Sequence, residues 1–253
     1  MEIFDHLTSD TLITVADYRN DSVATIPNKK RIFYKDFDIN EFIGEKLADR
    51  RNIKTNHYFL LSFLEGLGEK KYKDIMSDYG SEKIPIKTAS FDFEVDQDQC
   101  LRYYNFEEIL EFCPTKKNRE EFTKEVLEMF ALDTYMGQVD RMRYNYMIQV
   151  DSNFDIHLGP LYDYECSLNI DYLDDKAIYK NTLHKLDTIM DYKNTIDKYE
   201  YFYECLKSYL DVDLCSVIQD VFDNRKLDIT GLELDIYKRF EERSQKLLSK
   251  ILR

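Results

Sequence analysis

The chain has 253 residues, enough for one large domain or two closely packed parts. Hydrophobic residues make up 43 % and aromatics 14 %, so a sizeable core can form and global disorder is excluded, while only 7 Gly and 4 Pro argue against a turn-rich all-β protein. The net charge is −14, and the basic patches (residues 29–31 and 116–117) are short, which speaks against direct nucleic-acid binding and means that any nucleotide site needs local cations.

In chain order, residues 12–15 are apolar and β-branched, and residues 21–25 read as a polar turn. Residues 31–35 predict a strand with Phe33 and Lys35 on one face. Asp38 is placed to cap a helix over 39–51, where Ile39, Phe42, Ile43 and Leu47 recur at helical spacing. Residues 65–83 look like a surface loop, strand-like text resumes over 84–95, and 96–99 form a polar turn.

Near residue 105 the composition shifts and helices dominate. Phe122, Val126, Met129, Phe130 and Asp133 share one helical face. Two short apolar runs, 147–150 and 156–158, flank Asp151-Ser152-Asn153 and predict a β-hairpin. The text beyond Tyr172 is helical again. Thr230 with Glu233 is a capping-box signature for a last helix carrying Leu232, Ile236, Phe240, Leu247 and Ile251. A mixed β/α first part followed by an α-rich second part gives an α+β expectation.

Cys100, Cys113, Cys166, Cys205 and Cys215 are scattered without metal-ligand spacing, as expected of free thiols in a reducing compartment. The first residues lack the basic and apolar regions of a signal peptide, and no stretch approaches the roughly 20 apolar residues of a membrane span. The expected location is the cytoplasm. His6, His57, His157 and His184 share no ligand spacing, and no serine-hydrolase or zincin motif occurs.

The strongest chemical signal is Asp140-Arg141-Met142-Arg143-Tyr144-Asn145, just before the hairpin, with Pro160-Leu161-Tyr162-Asp163-Tyr164-Glu165 just after it. The two ends of a hairpin are close in space, so Asp140, Asn145 and Asp163 should converge. Three oxygen-bearing side chains suit phosphoryl transfer, where an Asp accepts the proton of the attacking hydroxyl and an Asn and a second Asp hold magnesium. The Asp-x-x-x-x-Asn pattern alone reads equally well as loop polar residues; the hairpin and the third Asp favour function. Lys35 at a strand end, followed by a helix bearing Glu41 and Glu45, offers a cation for phosphates and two candidate carboxylate partners four residues apart. Taken alone, that pair also fits a surface lysine beside a solvated acidic face.

These segments together resemble the kinase domains of the HipA-like family, especially its small Firmicutes-type members. Phe33-Tyr34-Lys35-Asp36-Phe37 and Glu41 through Ala48 are similar to that family's strand lysine and following helix, and Ala89-Ser90-Phe91 to its next sheet segment. Met129 through Asp133 resembles the helix before the catalytic loop. Asp140-Arg141-Met142 to Asn145 is similar to its Asp-Arg-His-x-x-Asn. Pro160 through Asp163, then Ser167-Leu168, is similar to its Pro-(Ile/Leu)-(Tyr/Phe)-Asp and Ser-Leu. The matches stay in order over residues 31–168.

The resemblance implies a two-lobed protein-kinase-like fold, with a small β-rich N-lobe over residues 1–104 and a helical C-lobe over 105–253. It implies a Mg-ATP-dependent Ser/Thr protein kinase, toxin-like and autophosphorylating, with a protein substrate and an antitoxin partner. Lys35 would contact the α/β-phosphates with Glu45 as its ion-pair partner and Glu41 as the alternate. Asp140 would be the catalytic base, and Asn145 and Asp163 the Mg2+ ligands. Three departures stand out. No glycine precedes Gly44, so a Gly-rich phosphate loop is absent and Ser22 and Thr25 occupy its place, as substitutes or as autophosphorylation sites. Met142 replaces the family's His. Glu165 adds a carboxylate after Asp163, as a group near the magnesium or as a solvated side chain. An ATP-binding pseudokinase or regulatory module, and a lipid or small-molecule kinase, are the alternatives.

Overall fold

The computed structural model describes residues 13–18, 21–25, 31–36, 38–62, 86–91, 100–101, 106–141, 145–169, 197–224 and 231–252. Five strands, β1 (Ile13–Tyr18), β2 (Asp21–Thr25), β3 (Arg31–Asp36), β4 (Tyr58–Ser62) and β5 (Ile86–Phe91), form one antiparallel sheet in the order β1-β2-β3-β5-β4. Lys35 lies opposite Thr88 in the β3–β5 register. The segment expected as a polar turn, 21–25, is instead strand β2, paired on both sides. Its backbone amides face two ladders, so it cannot close around a phosphate as a loop does, and Ser22 and Thr25 are strand residues. The β1–β2 connection, Arg19-Asn20, lies outside the described residues.

Helix α1 (Ile39–Asp49) follows β3 directly. Asp38 caps it, accepting a hydrogen bond from the Asn40 amide at 2.8 Å, and the Asp38 amide donates to Thr88 Oγ1 at 2.9 Å. The cap therefore ties the helix start to the sheet beside Lys35. Phe42, Ile43 and Leu47 are fully buried, as their spacing predicts, and each stabilises by about 1.5–3 kcal/mol.

Helix α2 (Phe106–Phe112) precedes the central helix α3 (Lys116–Met136). Helix α3 starts at a Thr115 cap and stops at Gly137, whose φ of 63° is left-handed backbone that glycine adopts without penalty. From Met129 to Met136 every residue of α3 is buried, so this helix is core on all sides. Helices α4 (Lys198–Lys207), α5 (Leu214–Asn224) and α6 (Gly231–Ile251) complete the helical part. The capping residue expected for α6, Thr230, and the segments 65–83, 96–99 and 172–196 lie outside the described residues.

The expected hairpin is present as β7 (Ile148–Val150) and β8 (Ile156–Leu158), with β6 (Cys100–Leu101) on the outer side of β7. Asp151 shapes its loop, its Oδ1 accepting from the amides of Asn153 and Asp155. Helix α3 grips the hairpin by its backbone. The buried Asn118 side chain donates to Ile156 O at 2.8 Å and accepts from Ile156 N at 3.0 Å, and Glu125 accepts from Leu158 N. Both ends of β8 are thus set by the core helix. On the other side, residues 54–56 pair with Leu161, which joins the chain before β4 to the strand exit. No described helix is long and apolar enough to cross a membrane.

Candidate active site

Lys35 projects from the end of β3 into a group of carboxylates. Its Nζ lies 2.5 Å from Glu41 Oε1, 3.2 Å from Asp163 Oδ1 and 3.1 Å from Glu165 Oε2. Burial opposes the charge on Lys35, but Glu41, Asp163 and Glu165 more than offset it and hold the ammonium above the usual lysine range. The strand lysine and Asp163, 128 residues apart in sequence, therefore meet.

The carboxylate beside Lys35 from α1 is Glu41, not Glu45. Glu41 is completely buried, and its second oxygen accepts from the Tyr164 amide at 3.0 Å. Glu45, one turn further on, instead accepts from the Tyr58 amide and meets His57 Nδ1 at 3.0 Å. Its work is to fasten α1 to the start of β4. Both carboxylates satisfy the helical spacing; position along the helix relative to the strand end decides between them.

Asp163 sits at a φ of 63°, a left-handed conformation unusual for a residue with a side chain. Its backbone is fixed on both sides. The Asp163 amide donates to the Tyr58 hydroxyl at 3.1 Å, and its carbonyl accepts from Gln138 Nε2 at 2.8 Å. Gln138 also accepts from the Asp140 amide at 3.0 Å through its Oε1. One amide side chain thus couples the segment before the hairpin to the segment after it. Asn145 Nδ2 donates to the Asp140 carbonyl at 2.6 Å, which ties Asn145 to Asp140. Met142 lies outside the described residues.

Arg141 holds this arrangement from beneath. Its guanidinium pairs with both oxygens of Asp133 at 3.1–3.2 Å. It also donates to the carbonyls of Asn145 and Tyr162, and it stacks 5.1 Å over the Tyr164 ring. Tyr164 in turn bonds Thr55 Oγ1 through its hydroxyl at 2.8 Å and packs against α1. A Cβ on Gly44 would stand 2.3 Å from Tyr164 Cγ, so only glycine admits the ring here. Asn40 completes the closure, donating to the carbonyls of Glu165 and Ser167 at 3.3 and 3.0 Å.

Burial pushes the Cys166 thiol up, and the carboxylates of Asp140, Glu165 and Asp163 push it the same way while Lys35 opposes them. Sequence reasoning did not identify Tyr58, Gln138 or Asp133 as supports. Only Asp133 left a signal, as an acid on an otherwise apolar helical face. Tyr58 and Gln138 act through backbone contacts that no local pattern announces.

Donor chemistry and charge both suit a divalent cation. Several carboxylates face one ammonium, and hard oxygen donors are what magnesium or manganese prefers. The fold is similar to those of several kinases of known structure. Over 99 % of this chain and 96 % of the other it is similar to the Helicobacter pylori proinflammatory kinase CtkA, with a TM-score of 0.58 at 13 % identity. It is also similar to the Golgi casein kinase, with a TM-score of 0.54 at 13 % identity over 98 % of this chain and 73 % of that one. The HipA of Shewanella oneidensis MR-1, solved with HipB and operator DNA, gives 0.52 at 12 % identity over 99 % and 67 %. No protein-family model matches the chain, and no curated protein sequence does either. At this identity the likeness shows a kinase-like fold.

Proposed function

We propose that the chain is a Mg-ATP-dependent phosphotransferase that acts on a Ser or Thr hydroxyl of a protein. The observation that carries this reading is the meeting of Lys35 with Glu41 and Asp163 on a kinase-like fold. Lys35, fixed by the buried Glu41, binds α/β-phosphate oxygens. Asp163 and Asn145 are the residues that would hold a magnesium ion, which would supply charge neutralisation along the triphosphate. Asp140 orients the acceptor hydroxyl and takes its proton. Gln138 keeps Asp140 and Asp163 at a fixed separation, so positioning, the main contribution in this chemistry, is built into the backbone. The two lobes would be residues 1–104 and 105–253, with the nucleotide between them. The HipA neighbour was solved with HipB, and an antitoxin-like protein partner is part of the proposal.

A second reading, a nucleotide-binding protein without transfer, is favoured by one observation. Ser22 and Thr25 belong to a doubly paired strand, and the β1–β2 connection, Arg19-Asn20, contains no glycine. One experiment separates the two. The purified chain is incubated with Mg-ATP and candidate protein acceptors, and phosphate is located by mass spectrometry. Transfer that disappears in Asp140→Ala and Asp163→Asn is expected. Binding without transfer selects the second reading, and transfer surviving both changes rejects the assigned roles.

A further inference from the structure

An ammonium group carries three N–H bonds, and Lys35 faces three carboxylates, Glu41, Asp163 and Glu165. A phosphate oxygen reaches Lys35 only by replacing one of them. Glu41 cannot leave. It is buried, it receives the Tyr164 amide, and releasing it would strand a charge in the interior. Asp163 is pinned through its own backbone by Tyr58 and Gln138 and has a 37 % exposed side chain. Glu165 is 59 % exposed, and Lys35 is the sole hydrogen-bond partner of its carboxylate among the described residues. An exposed ion pair of this kind is inexpensive to open.

Glu165 is nonetheless aimed rather than free to wander. Asn40, in the first turn of α1, binds the carbonyls of Glu165 and Ser167 and fixes the backbone from which the side chain reaches Lys35. We propose that Glu165 is a built-in counter-anion for Lys35, occupying the place of a nucleotide phosphate and leaving when one arrives. It therefore weakens nucleotide binding and raises the amount of divalent cation needed to achieve it. This inference rests on the reading of Lys35 as the phosphate-binding cation.

Calorimetric titration of the full chain with Mg-ATP, and with ADP in the presence of EDTA, tests it. Glu165→Gln keeps the shape and removes the charge. Because an exposed pair is worth up to about 1 kcal/mol, the substitution is expected to tighten both ligands by up to about fivefold. The magnesium concentration for half-maximal ATP binding falls in the same variant. Asn40→Ala, which loosens the aim of Glu165, moves both affinities in the same direction by less. Unchanged affinities in Glu165→Gln, with the wild type binding nucleotide, overturn the counter-anion role alone. Weakening confined to the magnesium titration also overturns it, and makes Glu165 a metal ligand instead. No nucleotide binding by either protein overturns both this role and the phosphotransferase reading beneath it.

Discussion

Two cation–carboxylate groups are linked through Tyr164 in this molecule, and they are built in opposite ways. Arg141 and Asp133 form a closed pair, with side chains 0 % and 4 % exposed, matched in charge and saturated by backbone carbonyls. Lys35 faces three carboxylates, and exposure rises from Glu41 at 0 % to Asp163 at 37 % and Glu165 at 59 %. The first group has no chemistry left to offer. The second has more negative charge than it can neutralise and an open side. A balanced buried pair is closed to solvent, whereas the unbalanced, graded one keeps an open side, the property on which the proposed nucleotide site relies.

The sharpest way to break the contrast is Arg141→Leu. It leaves Asp133 charged and unpaired in the core and releases the carbonyls of Asn145 and Tyr162. Removing one partner of a buried pair costs about 3–5 kcal/mol. Urea denaturation should show that loss in full, and nucleotide binding should fall with it. Gly44→Ala attacks the joint between the two groups, where Tyr164 lies against α1 beneath the Lys35 cluster and under the Arg141 guanidinium. The added methyl must displace the ring, an overpacking cost of about 1–3 kcal/mol. Because the Tyr164 amide also holds Glu41, this variant should lose nucleotide affinity even at temperatures where it remains folded, checked by calorimetry below its melting midpoint.

The same contrast decides what could be read from the chain. Helix α1, its Asp38 cap, the hairpin and the buried stripe of α3 were legible, because each is written in local spacing. Asp140, Asn145 and Asp163 stood out because they flank a hairpin, whose two ends lie close together, and Lys35 because it ends a strand just before an acidic helix. The choice between Glu41 and Glu45 was not legible, because residues one turn apart share a helical face. Tertiary contacts decide it, with the Tyr164 amide taking Glu41 and the Tyr58 amide and His57 taking Glu45. Strand β2 was read as a turn because Asp21 and Ser22 favour turns; pairing on both sides overrides that preference. Strand β4, Tyr58–Ser62, was missed because a five-residue apolar run carries no period that separates strand from helix.

The gentlest probe of the unbalanced group is Asp38, the cap of α1, which lies beside it. Burial pushes the Asp38 carboxyl up to about 7, against the Asn40 amide and Lys35, which favour its charge, and with Glu41 and Glu165, which oppose it. The sign follows from linkage. The folded state holds this proton more tightly than the unfolded chain, whose carboxyl titrates near 3.8. Stability from this group is therefore fully present below about 4, declines as pH rises towards 7, and is lost above it. Asp38→Asn keeps a side-chain oxygen for the cap and removes the titration. It should leave stability unchanged near pH 4, stabilise the fold at pH 8, and flatten the slope between them. Denaturation across that range checks the sign. Glu165→Gln should lower the midpoint of the slope and Lys35→Met should raise it, because the first removes a like charge and the second an opposite one. Shifts in the same direction from both substitutions would mean that Asp38 does not sense this cluster.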